Sequence, residues 1–317
     1  MKKSSVFMGV TVFLIGLMIA LAGIATWLEW DSVRHEIAYT NRVRQMAAVD
    51  DPKLADLLDG SVVFIEAGDF LMGSDNGRLD ERPQRTVYLD AYEIDRFEVT
   101  NLQYHRFLEV TGGKPPSHWS EGKYPQGQAD YPIVGISWED AAAYCIWAGK
   151  RLPTEAEWEK ACRGTDGRNF PWGDAWDASR ANVLHGDSYP YPSDFTSDEM
   201  IGKDAMWISL LSTPSDIRRQ GLRPVGTYPY GASPYGVFDM TGNASEWVFD
   251  WYNWSDYSEM PAQNPIGTTP PWNHCLRGSS WYYPLGDREW ALKMSRCSTR
   301  NSSHVATDPR LGFRCAR

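Results

Sequence analysis

Five cysteines (Cys145, Cys162, Cys275, Cys297, Cys315) and six histidines (His35, His105, His118, His185, His274, His304) are the groups in this chain best suited to soft-metal or nucleophilic chemistry. Their spacing limits what they can do. No two cysteines form C-x-x-C, and no Cys/His group has zinc spacing. No two histidines stand at i,i+4, the separation that places two imidazoles on one helix face. A His/Asp set gathered from distant positions stays open, because metal ligands need not be sequence neighbours. So does a serine nucleophile, Ser279 or Ser280 with a His and an Asp, although no nucleophile elbow surrounds either. The stretch Arg277–Trp290, RGSSWYYPLGDREW, carries hydroxyls, phenols and guanidiniums but no thiol. Asn243, Asn253 and Asn301 each begin an Asn-x-Ser sequon, a pattern short enough to arise by chance.

Three helices with identifiable start and stop signals are positioned to hold such groups. Thr100 caps the first, NLQYHRFLEV, which stops at Gly112-Gly113. Ser137, with Asp140 three residues on, opens the second, which ends at Gly149. Thr154 and Glu157 form a capping box for the third, which ends at Gly164. SVVFIEAGDFLMGS (61–74) reads as a strand-like run followed by Gly-flanked turns, and RTVYLDAYEIDRFEVT (85–100) alternates as a strand does. Residues 165–235 show little periodicity and read as ordered loops with one short helix near Met206–Leu211.

The N-terminus has a different texture. Val6–Leu28 runs 23 residues without a charge, ~34 Å as a helix and enough to cross a ~30 Å hydrocarbon core. Trp27 and Trp30 fall at an interfacial belt, and Lys2-Lys3 favour a cytoplasmic N-terminus. The competing reading is a cleaved signal peptide ending at Ala20-Leu21-Ala22, against which the apolar run continues six residues further. Both send the bulk of the chain out of the cytoplasm. Residues 1–30 are thus expected to be a membrane anchor, 31–60 an amphipathic helical stalk ended by Asp51-Pro52, and 61–317 the main domain. In an exported protein five cysteines allow two disulfides and one leftover thiol. A net charge of −10 with no basic run argues against nucleic acid. The 15 Trp, 16 Tyr, 27 Gly and 20 Pro suit a loop-rich domain pinned by large rings rather than a helix bundle.

FLMGS (70–74), ERPQRTVYLDAYEIDRFEVTNLQYHRFL (81–108), YPIVGISWEDAAAYCIWAGKRLPTEAEWEKACRG (131–164), FPWGD (170–174), ANV (181–183), YGVFDMTGNASEWVFDWY (235–252), RGSSW (277–281) and LGFRCAR (311–317) occur in order. Together they resemble the formylglycine-generating enzyme (sulfatase-modifying factor) domain family over about residues 61–317. The resemblance implies an α+β domain with little regular secondary structure, related to C-type lectin-like folds. It implies the disulfides Cys145–Cys315 and Cys162–Cys297, which leaves Cys275 free. It places a calcium ion on the Asp239 and Glu246 side chains with the Gly242 and Ala244 carbonyls between them, a donor set suited to a hard cation. A second calcium would use Asn182 and the Val183 carbonyl, its other ligands falling in the divergent 184–224 stretch.

The resemblance breaks at one place. The enzymes of this family bind copper through two active-site cysteines, one after a Gly-Gly-Ser-aromatic-x frame and the other five residues on. Here those positions hold Tyr283 and Arg288. A phenol and a guanidinium do not replace thiolates as Cu(I) ligands, so copper and cysteine-to-formylglycine oxidation are not expected. Nor is there the His-x-x-x-His-x-Glu of iron-dependent relatives. The expected function is a non-catalytic, membrane-anchored extracytoplasmic domain that binds or scaffolds a protein partner in the same membrane, with Ser280, Trp281, Tyr283 and Arg288 lining the working groove. The alternative is an exported metal-dependent oxidase or tailoring enzyme with different chemistry.

Overall fold

In the computed structural model the described residues are 62–183, 221–253, 256–268, 273–281, 288–303 and 308–317. Helix α1 is Asn101–Thr111, α2 Trp138–Trp147, α3 Glu155–Arg163 and α4 Arg288–Met294. The first three begin where their caps predict. The Thr100 and Thr154 hydroxyls accept the N3 amides of Gln103 and Glu157, whose side chains return to the cap amides at 2.8 and 2.7 Å. Ser137 Oγ accepts Asp140 N at 3.1 Å. Gly112 (φ 67°) closes α1 in the left-handed conformation that glycine adopts without penalty.

Strands β1 (Val62–Ile65) and β2 (Gly68–Met72) split the first strand-like run. The run at 85–100 also divides, into β3 (Arg85–Leu89) and β4 (Tyr92–Asp95). β2 pairs antiparallel with β3, and β1 with β4. The break falls at Asp90-Ala91, where the chain leaves one partner for the other and Asp90 N donates to Asn264 Oδ1 instead of to a strand. β5 (Ser245–Trp251), β6 (His274–Arg277), β7 (Arg300–Ser303) and β8 (Leu311–Phe313) form a sheet ordered β7-β6-β5-β8, in which only the β5–β8 pair is parallel. These strands show little alternation because most positions are buried on both faces, charged ones included; β6 is buried at all four residues, while Phe249 on β5 is exposed.

Cys145 pairs with Cys315, and Cys162 with Cys297, each with Cα atoms 5.7 Å apart, as the resemblance implied. Cys275 is buried, and its thiol lies 2.9 Å from Glu155 Oε1. Burial first, and then the Glu155 charge, push that thiol well above its ordinary pKa, so it is not a reactive thiolate. Among the described residues no helix is long and apolar enough to cross a membrane. The expected anchor (1–30), the stalk (31–60) and the short helix near 206–211 lie outside the described residues.

The interior is threaded with ions. Arg163, Arg277 and Arg300 are at most 1% exposed. Glu159 accepts from Gly73 N (2.7 Å), Arg163 (2.8 Å), Tyr257 Oη (3.1 Å) and Arg277. Glu155 accepts from Arg300 through Nε and a terminal nitrogen, at 2.7 and 2.9 Å. Arg277 also donates to the Cys297, Ser298 and Thr299 carbonyls, and its guanidinium lies 5.4 Å from the Trp158 ring centre. Such groups can be buried because nearly every oxygen and N–H finds a partner, the Arg277 Nε being the exception.

Candidate functional site

The residues the resemblance marks for calcium gather around the turn before β5. Three non-extended positions shape it: Asp239 (φ 58°), Gly242 (φ 86°) and Asn243 (φ 61°). Gly242 is required twice over, for its conformation and because a Cβ there would run into the Asn182 carbonyl. Asn182 bridges to Gly242 in parallel register, and its Nδ2 donates to Asn243 Oδ1 at 3.0 Å and to Gly221 O at 2.7 Å. The structure thus brings residues expected in two separate cation sites onto one wall.

Glu98, which reading the sequence did not single out, holds this wall in place. It is 1% exposed and accepts Ala244 N at 2.9 Å and Asn243 Nδ2 at 2.7 Å. Asp239 accepts Gly226 N at 2.6 Å. Glu246, on β5, is not a free ligand: Arg314 grips both its oxygens at 2.7 Å, and Trp158 Nε1 donates to one at 2.9 Å. Burial pushes the Glu98 carboxyl well above its ordinary pKa, and the Asp239 and Glu246 charges add to this. Burial likewise raises Asp239 to about 6. Three buried carboxylates therefore face one guanidinium; burial alone would lower the pKa of Arg314, and these carboxylates, Glu246 foremost, raise it instead. This excess of negative charge fits a hard cation in charge and donor type. The fit requires Glu246 to share its oxygens with Arg314. Among the described residues no group of three or more His, Cys, Asp and Glu is arranged around a common metal position.

The segment that lacks the cysteine pair is sewn to the same wall. Gly278 (φ 68°) turns the chain out of β6. Ser279 Oγ accepts Gly242 N at 2.8 Å, and Trp281 N donates to Asn243 O at 2.8 Å. Ser280 and Trp281, expected to line an open groove, are instead 2% and 4% exposed. The Gly221 backbone lies against the Trp281 indole so closely that a Cβ there would overlap it. Both residues are buried here, with the turn folded against Asn243. Arg288 opens α4; its side chain and Tyr283 lie outside the described residues, as do residues 184–220 of the 184–224 stretch expected to complete the second calcium site.

The other candidates resolve unevenly. His274 stacks between Trp138 (3.7 Å, 4°) and Trp251 (3.9 Å, 27°), and burial lowers it to about 4, so it is a neutral core group. Tyr257 is likewise buried in the core.

The α+β arrangement, the two cystine bridges and this wall define a class. The chain belongs to the sulfatase-modifying factor enzyme 1-like domain family, whose profile matches residues 51–317. It is 32% identical over 81% of its length to the serine/threonine-protein kinase Pkn1 of Chlamydia trachomatis, and spans 38% of that protein. It is 30% identical over 83% of its length to the mouse inactive C-alpha-formylglycine-generating enzyme 2, covering 88% of it. Among solved structures it is similar to PvdO from Pseudomonas aeruginosa, with TM-score 0.58, 25% identity and coverage of 81% of this chain and 93% of that one.

Proposed function

We propose that this protein is a non-catalytic member of its family, anchored in a membrane by residues 1–30, whose extracytoplasmic domain binds or scaffolds a protein partner in the same membrane. The observation that carries the reading is the replacement of the family's cysteine pair by Tyr283 and Arg288 in a chain that otherwise keeps the family's signatures. A mouse relative bearing the word inactive in its name is in keeping with a non-catalytic branch. Calcium, held by Asp239 with the Gly242 and Ala244 carbonyls and with Glu246 shared with Arg314, would be structural: it would balance the buried charge and fix the turn that carries Ser279 and Trp281.

Gentle detergent extraction followed by size exclusion and mass spectrometry tests the partner reading. A stable co-eluting membrane protein is expected, lost when Tyr283 and Arg288 are both changed to alanine. A clean monomer under every mild condition overturns it. Elemental analysis tests the metal reading: calcium near one per chain is expected, whereas a stoichiometric redox metal would favour an exported oxidase or tailoring enzyme.

A further inference from the structure

An open cleft of about 320 Å³ shares no residue with the carboxylate wall. It lies where β3 gives way to β4, against the start of α3 and the outer side of β5, and Phe249 N ties the last two together by donating to Pro153 O at 2.8 Å. Its volume is at the lower end of the ~300–1,000 Å³ range of small-molecule sites.

Two planar polar pairs line it. Asn264 accepts Asp90 N through Oδ1 and donates to Asp90 Oδ2 through Nδ2, both at 2.9 Å. Asn264 sits at φ 45°, a conformation that a non-glycine residue holds at a cost, and Asn264 N donates to Tyr88 O. Arg151 forks onto Glu157 with two bonds of 2.6 Å. Each pair is fixed by its own internal bonds and so meets a ligand preorganised. A carboxylate offers roughly four lone-pair sites, and the Asn264 amide fills one of those on Asp90. Beside the pairs stand two apolar side chains that the fold leaves open, Phe249 (39% exposed) and Ile266 (38%).

This combination selects a ligand class. The lining holds Asp90, Glu157 and Arg151 as its charged groups, and Arg151 is spent on Glu157, so phosphate and other anions find no cation. The apolar part is Phe249 and Ile266 with Leu89, Ala91 and Pro265 beside the polar pairs, and a cleft of about 320 Å³ is too small for a lipid chain. Fixed carboxylate, amide and guanidinium groups next to an exposed aromatic ring match vicinal hydroxyls that both donate and accept, attached to a ring with an apolar C–H face.

We propose that this cleft binds a neutral carbohydrate of one or two sugar units, with hydroxyls on the Asp90–Asn264 and Arg151–Glu157 pairs and a sugar face on Phe249. The proposal is independent of the partner reading above. The test is saturation-transfer NMR on the purified full chain with millimolar maltose, cellobiose and diacetylchitobiose. Transfer to at least one sugar is expected. Affinity should fall about tenfold in Phe249→Ala, equivalent to ~1.4 kcal/mol. It should also fall in Asn264→Gly, which keeps the backbone conformation while removing the amide. Thermal unfolding of both variants confirms that they fold. Absence of transfer to all three sugars, or transfer equal to wild type in a folded Asn264→Gly, overturns the proposal.

Discussion

Two buried ionic regions of this domain look alike in residue type and differ in balance. Around α3, Glu155 and Glu159 meet Arg163, Arg277 and Arg300, so each of these two carboxylates has a guanidinium; Asp250, which accepts Glu155 N at 2.7 Å, stands beside them and is raised to about 7 by burial and then by the Glu155 charge. Around the turn before β5, Glu98, Asp239 and Glu246 share Arg314. Burial alone would raise Glu155, but the Arg300 and Arg277 charges overrule it and hold that carboxyl below its ordinary pKa. Burial raises Glu98 and Asp239, and too little positive charge opposes it. A balanced network is a structural device; an unbalanced one is where a cation would contribute.

The largest expected effect lies in the balanced region. Glu159→Ala leaves Arg163 and Arg277 buried without their shared carboxylate and should cost ~3–5 kcal/mol, read from urea unfolding. A loss under 1 kcal/mol would mean that the network is not a stabilising unit. Replacing Cys162 and Cys297 together by alanine should cost ~2–5 kcal/mol in the same assay. A calcium ion at a hundred times its dissociation constant should stabilise the protein by ~2.7 kcal/mol, and Asp239→Asn should abolish this gain. A calcium-insensitive melting temperature in the wild type would remove the contrast between the regions.

Asp239 and Glu155 should also answer pH with opposite signs. The folded pKa of Asp239 is raised from 3.8 to about 6. Its contribution is therefore fully present below pH 3.8 and lost as pH rises through about 6, because the folded state binds the proton more tightly. Glu155 is lowered from 4.5, so its contribution is present above pH 4.5 and lost as pH falls through its folded value. In calcium-free buffer, Asp239→Asn should flatten the decline between about pH 4 and 6, measured by chemical denaturation. A profile unchanged by the substitution would detach Asp239 from the unbalanced cluster. The smallest effect belongs to neither region: Thr100→Ala removes the α1 cap and should cost about 1 kcal/mol.

Part of this site was legible in the chain and part was not. Asp239, Gly242, Ala244 and Glu246 stand in one short run whose spacing matches the family. Glu98 lies about 140 residues earlier, inside a stretch that reads as alternating strand, and nothing local marks it as the acceptor of Ala244 N. The Glu246 pairing with Arg314 was hidden for the same reason: it joins β5 to a residue 68 positions on, across the parallel β5–β8 contact. Ser280 and Trp281 read as groove residues because their type suits binding, and burial by the turn was not visible in sequence.

Sequence alone determined what depends on near neighbours: where α1, α2 and α3 begin, the turn chemistry of Gly112, and the absence of thiols at positions 283 and 288. Through family resemblance it also carried the two cystine pairs. Capping and turn preferences act over three or four residues, so they are written locally. Tertiary structure decided which buried carboxylates are balanced, that the RGSSW turn faces inward, and that Asp90, Asn264, Arg151 and Glu157 meet beside Phe249. Charge balance and burial are sums over residues far apart in the chain, and they have no value until the fold brings those residues together.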